Sequence, residues 1–376
     1  MKLAILKERR DGETRVAASP DTVKRYRGLG LDVAVESGAG AAAQMTDADY
    51  EAAGAVIAAD GVAALSNADI VLCVRAPDTD QIVAMKTGAV LAALLAPYTD
   101  KETPAKLAER GVDAFAMEFL PRISRAQAMD VLSSQANLAG YKAVIDAAAQ
   151  FGRAMPMMMT AAGTIAPARV LVMGVGVAGL QAIATARRLG AIVSATDVRP
   201  ATKEQVESLG ATFVAVMDDE FKNAQTAAGY AKPMSAEYQA KQAALIGETI
   251  KKQDIVITTA LVPDRKAPVL VTEEMIKAMK PGSVIVDLAA EQGGNTPLTK
   301  PDQVVEVHGV TIMGYTNLAG RLATDSSSLY ARNLFNFVAL IVDKKTGALA
   351  LNWEDEIVKG AGLTRNGQVV HPALKG

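Results

Sequence analysis

Three glycines in the second half of the chain have the spacing of a phosphate-binding turn. They lie in Arg169-Val-Leu-Val-Met-Gly174-Val-Gly176-Val-Ala-Gly179, and an alanine-rich stretch follows. An apolar strand that runs into G-x-G-x-x-G and then into a helix is typical of dinucleotide-binding sites. Gly174 permits the tight turn, Gly176 lets the backbone approach a pyrophosphate, and Gly179 lets the helix pack closely on the strand. The positive end of the helix dipole would then face the diphosphate.

An acidic residue follows at the spacing that such a site requires. Asp197 ends the next predicted strand, near the expected offset of about 20 residues. Its carboxylate can accept hydrogen bonds from the ribose hydroxyls of adenosine and would repel a 2′-phosphate, which favours NAD over NADP. Arg199, two residues later, favours NADP instead, because an arginine can attract a 2′-phosphate. A structural glycine turn without a ligand is the simpler alternative.

A second polar group opens a long predicted helix. Gln127, Asp130 and Ser133 advance in steps of three, so each step drifts by about 60° and all three stay on one flank. An amide, a carboxylate and a hydroxyl, preceded by Arg122 and Arg125, could hold a carboxamide or a phosphate. A solvated polar face with a charge pair is the alternative.

Short apolar runs predict the strands that must position these residues. In the first half they lie near residues 3–6, 32–36, 69–74, 89–95 and 113–119. In the second half they lie near residues 169–174, 191–197, 212–216, 254–258, 283–288 and 310–313. Ser19-Pro20 predicts the start of a helix, with Pro at its first position, and residues 101–110 predict another. Strands separated by helices imply parallel sheets, and residues 155–167 are expected to form a loop.

Two long predicted helices, over 125–151 and 326–342, bracket the second set of strands. This arrangement favours a discontinuous layout, and two consecutive domains are the plainer alternative. An N-terminal domain would then comprise residues 1–125 together with about 325–376. A nucleotide-binding domain would comprise residues 126–324, including the linking helix.

Composition narrows the class of protein. The chain has 376 residues, 50% of them apolar, and a formal net charge of −2. This length exceeds the usual size of one core, and the charge balance gives no general reason to bind nucleic acid or an anionic membrane. One cysteine, Cys73, and two histidines, His308 and His371, make a disulfide or a metal site unexpected. The N-terminus lacks a signal peptide, so we expect a cytoplasmic protein.

Several motifs together resemble a known family, the NAD(H)-binding component (domain I, alpha subunit) of proton-translocating, Re/Si-specific NAD(P) transhydrogenase. The similarity covers essentially the whole chain. Besides the glycine turn and the Arg122 to Tyr141 stretch, it rests on Lys7-Glu8, Gly12-Glu13-x-Arg15-Val16-Ala17-x-Ser19-Pro20, Thr160-Ala-Ala-Gly163-Thr164, Thr196-Asp197-Val198-Arg199 and Thr258-Thr-Ala-Leu261.

This resemblance implies two Rossmann-like doubly wound domains joined by long helices, with NAD(H) in the cleft between them. It implies that the nicotinamide end meets Arg122, Gln127, Asp130 and Ser133, the first three of which would align the reacting ring. It further implies that the rest of the cofactor contacts Gly174, Gly176, Val177, Gly179, Asp197, Val198, Arg199, Gln242 and Leu261. Residues 217–235, with Gly229 and Tyr230, would form a mobile loop that closes over the nucleotide.

The resemblance also implies partners. The chain would form a homodimer and dock to the NADP(H)-binding domain of a beta subunit, and hydride would pass directly between the two nicotinamides. Membrane subunits would couple this transfer to proton translocation and attach the chain peripherally to the inner membrane. Some members carry the first membrane helices on the same polypeptide. This sequence does not, so it resembles the split type, in which they lie on a separate subunit.

Two alternatives remain open at this stage. Alanine dehydrogenase, a relative in fold and sequence, uses a histidine after the fourth strand and an earlier lysine that holds pyruvate. In this chain the strand over residues 90–97 contains no histidine, and Arg75 stands where the lysine is expected. Oxidative deamination needs a proton acceptor near the reacting carbon, whereas transfer between nicotinamides does not. The second alternative is a protein that binds NAD without catalysis.

Overall fold

The chain forms two separate units of α/β structure. A computed structural model describes residues 1–224, 234–261 and 265–374. One unit comprises Met1–Gln135 with Ala319–Gly376, and the other comprises Ala136–Leu318.

The strands form one parallel sheet in each unit. In the first unit they are β1 (Lys2–Ile5), β2 (Asp32–Glu36), β3 (Val56–Ala58), β4 (Ile70–Leu72), β5 (Val90–Ala93) and β6 (Asp113–Ala116). In the second unit a hairpin of β7 (Met158–Thr160) and β8 (Gly163–Ile165) precedes β9 (Arg169–Met173), β10 (Ile192–Thr196), β11 (Thr212–Phe213), β12 (Ile255–Thr258), β13 (Val284–Asp287), β14 (Val304–Val307) and β15 (Val310–Met313). A small C-terminal hairpin of the first unit comprises β16 (Thr364–Arg365) and β17 (Gln368–Val369).

Thirteen α-helices accompany these strands in the described residues. Those that precede the second sheet are α1 (Pro20–Gly28), α2 (Asp47–Ala52), α3 (Gly61–Leu65), α4 (Thr79–Ala84), α5 (Glu102–Arg110) and α6 (Val131–Gln150). The remainder are α7 (Val177–Arg188), α8 (Thr202–Ser208), α9 (Asp219–Lys222), α10 (Ala236–Ile250), α11 (Glu273–Lys277), α12 (Ala323–Ile341) and α13 (Glu356–Ala361). None of them is long and apolar enough to cross a membrane.

Both sheets have the strand order of the Rossmann fold. The first sheet has the order β3-β2-β1-β4-β5-β6 and the second β11-β10-β9-β12-β13-β15-β14. All neighbours are parallel except β14, which pairs antiparallel with β15. In each sheet the order reverses beside the first strand, which defines a topological switch point at β1/β4 and at β9/β12. The predicted α/β fold class, with two Rossmann-like parallel sheets, is confirmed.

Alternating side chains of the central strands fill a core on each face of each sheet. In the first sheet, Leu3 and Ile5 pack with Tyr330 and Phe337 of α12, so this late helix completes the core of the N-terminal segment. In the second sheet, Val170 is in register with both Val193 of β10 and Ile255 of β12. Strands buried on both faces read as continuous apolar runs, which is why the runs in the sequence located them.

The sequence does not predict four strand regions, namely β3, the β7–β8 hairpin, β14 and the β16–β17 hairpin. The edge strand β3 is only three residues long, and Val56 is 70% exposed, so it lacks the apolar run of a buried strand. Residues 155–167, predicted to be a loop, contain the β7–β8 hairpin. The strand over residues 310–313 is predicted and is observed as β15, but its antiparallel partner β14 is not predicted. The two are joined by a turn at His308 and Gly309, both of which have positive φ.

Candidate functional site

The glycine turn lies at the carboxyl end of β9, at the switch point of the second sheet. Gly174 has a φ of +103°, a left-handed conformation that glycine adopts at little cost. Gly176 is the N-cap of α7. The first backbone N–H groups of a helix have no partner within that helix, so those of α7 face outward from the turn. Such an edge is where open α/β sheets bind their ligands.

Packing within the chain requires glycine at two of the three positions but not at the third. A Cβ atom on Gly179 would lie 1.9 Å from the carbonyl oxygen of Gly174. A Cβ atom on Gly174 would lie 2.3 Å from Oγ1 of Thr259. A Cβ atom on Gly176 would meet nothing within 4 Å, and its φ of −81° suits any residue. The fold therefore does not require glycine at 176, whereas close approach of a ligand to the backbone does.

Asp197, directly after β10, is fully engaged within the chain. Its carboxylate accepts hydrogen bonds from the backbone N–H groups of Val175, at 2.7 Å, and Arg199, at 2.9 Å. The guanidinium of Arg199 pairs with it at 2.9 Å from Nε to Oδ1 and 3.0 Å from Nη2 to Oδ2. These hydrogen bonds raise the pKa of Arg199. Asp197 thus joins the glycine turn to β10 and also holds the arginine that could attract a 2′-phosphate.

Three large apolar side chains are exposed along the same edge. Val177 is 40%, Val198 57% and Leu261 49% exposed. They follow β9, β10 and β12 respectively, which are neighbours in the sheet. Because the carboxyl ends of adjacent parallel strands share one edge, the structure places these three predicted site residues together.

Gln242 of α10 forms hydrogen bonds within the chain. Its Oε1 accepts from the backbone N–H of Val216 at 2.9 Å, and its Nε2 donates to Oγ1 of Thr196 at 3.2 Å. The side chain thereby connects α10 with the last residue of β10. Gly229 and Tyr230 lie outside the described residues, as do the other residues of 225–233 in the predicted mobile loop.

The sequence predicts that Gln127, Asp130 and Ser133 lie on one flank of a single helix, and this prediction is wrong. Ser124–Met129 forms a 3-10 helix, Asp130 is extended at φ −69° and ψ 91°, and α6 begins only at Val131. Oδ1 and Oδ2 of Asp130 accept hydrogen bonds from the backbone N–H and the hydroxyl of Ser133, at 2.9 and 2.5 Å. Aspartate is a strong N-cap residue, so it ends one helix and begins the next. Asp130 and Ser133 meet, while Gln127 lies on a separate element.

Arg122 and Gln127 are both exposed. Neither side chain has a hydrogen bond or ion pair with another residue in the described part of the chain. Arg125 differs, because its guanidinium binds both carboxylate oxygens of Asp355, at 3.0 and 3.1 Å. Arg122 and Gln127 therefore keep their polar groups available to a ligand, and Arg125 does not.

Glu13 and Arg15 form a buried ion pair that contacts α6. The sequence predicts no role for this pair. Arg15 is 4% exposed, and its guanidinium binds Glu13 at 2.7 Å and donates to Oε1 of Gln135 at 2.8 Å. Burial would raise the pKa of Glu13, but the hydrogen bonds and charge of Arg15 outweigh it and lower this pKa to about 2. The pair fixes the first turns of α6, next to Ser133. Its only signal in the sequence is the Gly12-Glu13-x-Arg15 motif.

A cavity of about 400 Å³ lies at the carboxyl edge of the first sheet, lined in part by Glu8, Arg75 and Ala96. The Glu8 carboxylate accepts hydrogen bonds from the backbone N–H groups of Val74 and Arg75, at 2.6 and 3.1 Å. Burial raises the pKa of Glu8 to about 7. The segment over residues 90–97, which includes Ala96, contains no histidine that could transfer a proton.

Fold and site together define a protein of two Rossmann-like units, the second of which carries a dinucleotide-type glycine turn. Two family models match: alanine dehydrogenase/PNT, N-terminal domain, over residues 4–139, and alanine dehydrogenase/PNT, C-terminal domain, over residues 143–372. The chain therefore belongs to the alanine dehydrogenase/PNT family.

Within this family the chain is more similar to the transhydrogenases than to the alanine dehydrogenases among its relatives. It is 58% identical to an NAD(P) transhydrogenase alpha subunit of Rhodospirillum rubrum, over 100% of this chain and 99% of that protein. A crystal structure of transhydrogenase from Sinorhizobium meliloti superposes with a TM-score of 0.90 at 54% identity, over 98% of this chain and 100% of that one. Alanine dehydrogenase of Halomonas elongata is 30% identical over 92% of this chain and 88% of that protein. The resemblance inferred from the motifs is confirmed.

Proposed function

We propose that this chain is the NAD(H)-binding subunit of a proton-translocating transhydrogenase. The observation that carries the proposal is the open space above Gly176, where the fold leaves room for a ligand against the start of α7. The similarity of the chain to proteins named transhydrogenase subunit alpha supports the same proposal. In this proposal, NAD(H) binds at the carboxyl edge of the second sheet.

The residues of this edge suit the adenosine and diphosphate portions of the cofactor. The outward N–H groups of α7 would bind the diphosphate, and the exposed apolar side chains of Val177, Val198 and Leu261 would cover apolar surface of the nucleotide. Asp197 would select NAD(H), because a 2′-phosphate placed beside it would meet a carboxylate. Arg199 is paired with that carboxylate, so it is not positioned to compensate.

The polar turn of the first unit suits the nicotinamide end. We propose that Arg122 and Gln127 bind its carboxamide, and that Asp130 and Ser133 hold the turn that presents them. The bound cofactor supplies the chemistry, transfer of a hydride at its nicotinamide. NADH and NADP⁺ become NAD⁺ and NADPH, one C–H bond breaks as one forms, and no side chain must accept a proton. The contribution of this chain is alignment of the reacting rings.

The second nicotinamide would arrive on a partner subunit that binds NADP(H), because this chain has one complete glycine fingerprint. Membrane subunits would couple the transfer to proton translocation and attach this chain peripherally to the inner membrane. We also propose a homodimer. The exposed hairpin of β7 and β8 supports it, because Met157, Met158 and Met159 are 60%, 42% and 81% exposed, and apolar side chains at such a surface favour association.

One pair of variants tests the nucleotide site. Gly176→Val places a side chain in the open space above α7, where its Cβ atom would meet nothing within 4 Å. Gly152→Val is the matched control, because a Cβ atom on Gly152 also meets nothing within 4 Å. We expect both variants to fold, and only Gly176→Val to weaken NADH binding in calorimetry, by at least about tenfold, or 1.4 kcal/mol. Unchanged NADH affinity in Gly176→Val would refute the proposed site.

A second experiment tests the reaction. The purified chain should bind NADH yet transfer no hydride to NADP⁺ until the NADP(H)-binding domain of a transhydrogenase is added. NADH binding without transfer in that mixture would indicate a non-catalytic NAD-binding protein instead.

A second candidate, an oxidoreductase of the alanine dehydrogenase type, is favoured by one observation. The cavity in the first unit brings Glu8, whose pKa burial raises to about 7, next to Arg75. These residues could hold a small carboxylate and accept a proton. We expect no reduction of NAD⁺ with L-alanine, because both oxygens of Glu8 are already bound to backbone N–H groups. Robust reduction by the pure chain would favour the second candidate.

A further inference from the structure

A buried polar network closes the end of β13 in the second unit. Asp287, the last residue of this strand, is fully buried. Its carboxylate accepts four hydrogen bonds, from Oγ1 of Thr258 at 3.1 Å, the backbone N–H groups of Ala289 at 2.9 Å and Asn295 at 2.7 Å, and Oγ1 of Thr299 at 2.5 Å. Two of these partners, Thr258 and Asn295, lead to the segment that follows β12.

Asn295, also fully buried, fastens that segment at two points. Its Oδ1 accepts from the backbone N–H of Ala260 at 3.1 Å, and its Nδ2 donates to the carbonyl oxygens of Ala260 and Pro268, both at 2.8 Å. Its own carbonyl oxygen accepts from Leu270 and Val271, at 2.8 and 3.1 Å. The side chain of Asn295 therefore binds Ala260, which precedes Leu261, and Pro268, which comes after it.

The same segment is bonded to the glycine turn. The backbone N–H of Thr259 donates to Met173 at 2.9 Å, and its hydroxyl donates to the carbonyl oxygen of Gly174 at 3.1 Å. Ala260 thus stands between the glycine turn and Asn295, and Leu261 follows it. Hydrogen bonds, together with the peptide bond between Thr259 and Ala260, thus connect the end of β13 with the turn after β9.

We infer that Asn295 and Asp287 are positioning residues for the nucleotide, which set the place of Ala260 and Leu261 beside the glycine turn. This inference rests on the proposed function. A fully satisfied buried network fixes one geometry, and removing a single donor leaves its partner unpaired in a site that water does not reach. Neither residue belongs to the glycine fingerprint.

Asn295→Asp tests the inference because it keeps the shape of the side chain and its acceptor for Ala260. It removes the two donated hydrogen bonds and turns an oxygen toward two carbonyl oxygens. The matched control is Asp254→Asn at the opposite end of the same sheet. Asp254 is a buried residue whose carboxylate accepts from the backbone N–H of Arg169 at 2.8 Å and pairs with Lys280 at 3.0 Å.

We expect both variants to unfold at lower temperature, but only Asn295→Asp to weaken NADH binding, by at least tenfold in calorimetry. In the complex with the NADP(H)-binding domain, the KM for NADH should rise by the same factor while the transfer rate at saturating NADH stays within twofold. Hydrogen exchange at the Ala260, Leu270 and Val271 amides should accelerate in Asn295→Asp and not in Asp254→Asn.

Equal NADH affinity in folded Asn295→Asp and the unmodified chain would overturn the inference, as would an equal loss in Asp254→Asn. Should Asn295→Asp fail to fold, Thr299→Val removes one donor to Asp287 and should weaken NADH binding about threefold, and no change would overturn the inference. An unmodified chain that does not bind NADH would refute the proposed function and the inference with it.

Discussion

Helix α6 passes so close to the first turn of α7 that only glycine fits at the contact. A Cβ atom on Gly140 would lie 2.1 Å from the carbonyl oxygen of Ala178, whereas ordinary contacts begin at 3.4 Å. In Gly140→Ala the two helices must therefore separate locally by roughly 1.3 Å, and overpacking of this kind costs about 1–3 kcal/mol. Because Ala178 lies in the turn that we propose binds the diphosphate, the displacement should also reach the nucleotide.

Gly247→Ala provides the matched control. Gly247 lies within α10 of the same unit, and a Cβ atom there would meet nothing within 4 Å. Replacing a helical glycine by alanine stabilises by about 0.5–1 kcal/mol in either helix. This gain is common to both variants, so the difference between their free energies of unfolding isolates the packing cost of about 1–3 kcal/mol.

Urea denaturation and NADH calorimetry of the two variants measure these effects. Gly247→Ala should be slightly more stable than the unmodified chain and bind NADH equally well. Gly140→Ala should be less stable than Gly247→Ala and bind NADH about tenfold more weakly, a loss of 1.4 kcal/mol. Equal stability of the two variants would refute the packing argument, and unchanged NADH affinity in a destabilised Gly140→Ala would refute the link between this contact and the nucleotide.

Three further substitutions test individual side chains. The unmodified chain should bind NADH at least about tenfold tighter than NADPH, and Asp197→Ala should narrow this gap in calorimetry because it releases Arg199 toward a 2′-phosphate. Gln127→Asn should slow transfer to the NADP(H)-binding domain by one or more orders of magnitude through lost alignment, with NADH affinity within a few-fold and stability unchanged, since Gln127 is exposed. Glu8, whose pKa burial raises from 4.5 to about 7, binds its proton more tightly in the folded chain, so its contribution to stability falls as pH rises from about 4.5 to 7. In urea denaturation, the free energy of unfolding of Glu8→Gln, relative to that of the unmodified chain, should rise between pH 5 and pH 8, by at most about 3 kcal/mol.

Each of these expectations has a contrary result. Equal affinity of the unmodified chain for NADH and NADPH would refute the role of Asp197. Loss of NADH binding in Gln127→Asn, with the transfer rate at saturation intact, would refute an alignment role. A difference in unfolding free energy between Glu8→Gln and the unmodified chain that does not change with pH would show that Glu8 titrates alike in both states.

Local sequence signals were sufficient for most of the fold. Continuous apolar runs located the buried strands, and Ser19 with Pro20 marked the start of α1, where the Ser19 side chain accepts from Thr22. Signals failed where an element buries little apolar surface, as at β3 and the β7–β8 hairpin. The sequence predicts that the long helix starts at residue 125, whereas α6 begins at Val131. Periodicity alone does not show that Asp130, which lies within the predicted helix, caps it.

The site divides in the same way. The glycine turn is readable because its strand, turn and helix are contiguous, and Asp197 follows at a fixed offset. Asn295 and Asp287 could not be found in the sequence, because their partners at Ala260 and Thr258 come from another strand. Nor did the pattern of Arg15 reveal that it reaches Gln135, since that contact depends on how the unit folds.

Internal pairing separates two kinds of site residue and predicts how each responds to substitution. Asp130 and Asp197 accept hydrogen bonds from the chain itself, so replacing either should lower stability and nucleotide affinity together, since the element that each one holds would move. Arg122 and Gln127 have exposed side chains without partners in the described part of the chain, and Gly176 has open space above it. Changes at these three positions cost the fold little, so their effects should appear in binding or transfer alone. In each unit, a polar side chain that the fold leaves without a partner is thus assigned to direct contact with the ligand, and one that the fold pairs is assigned also to the scaffold.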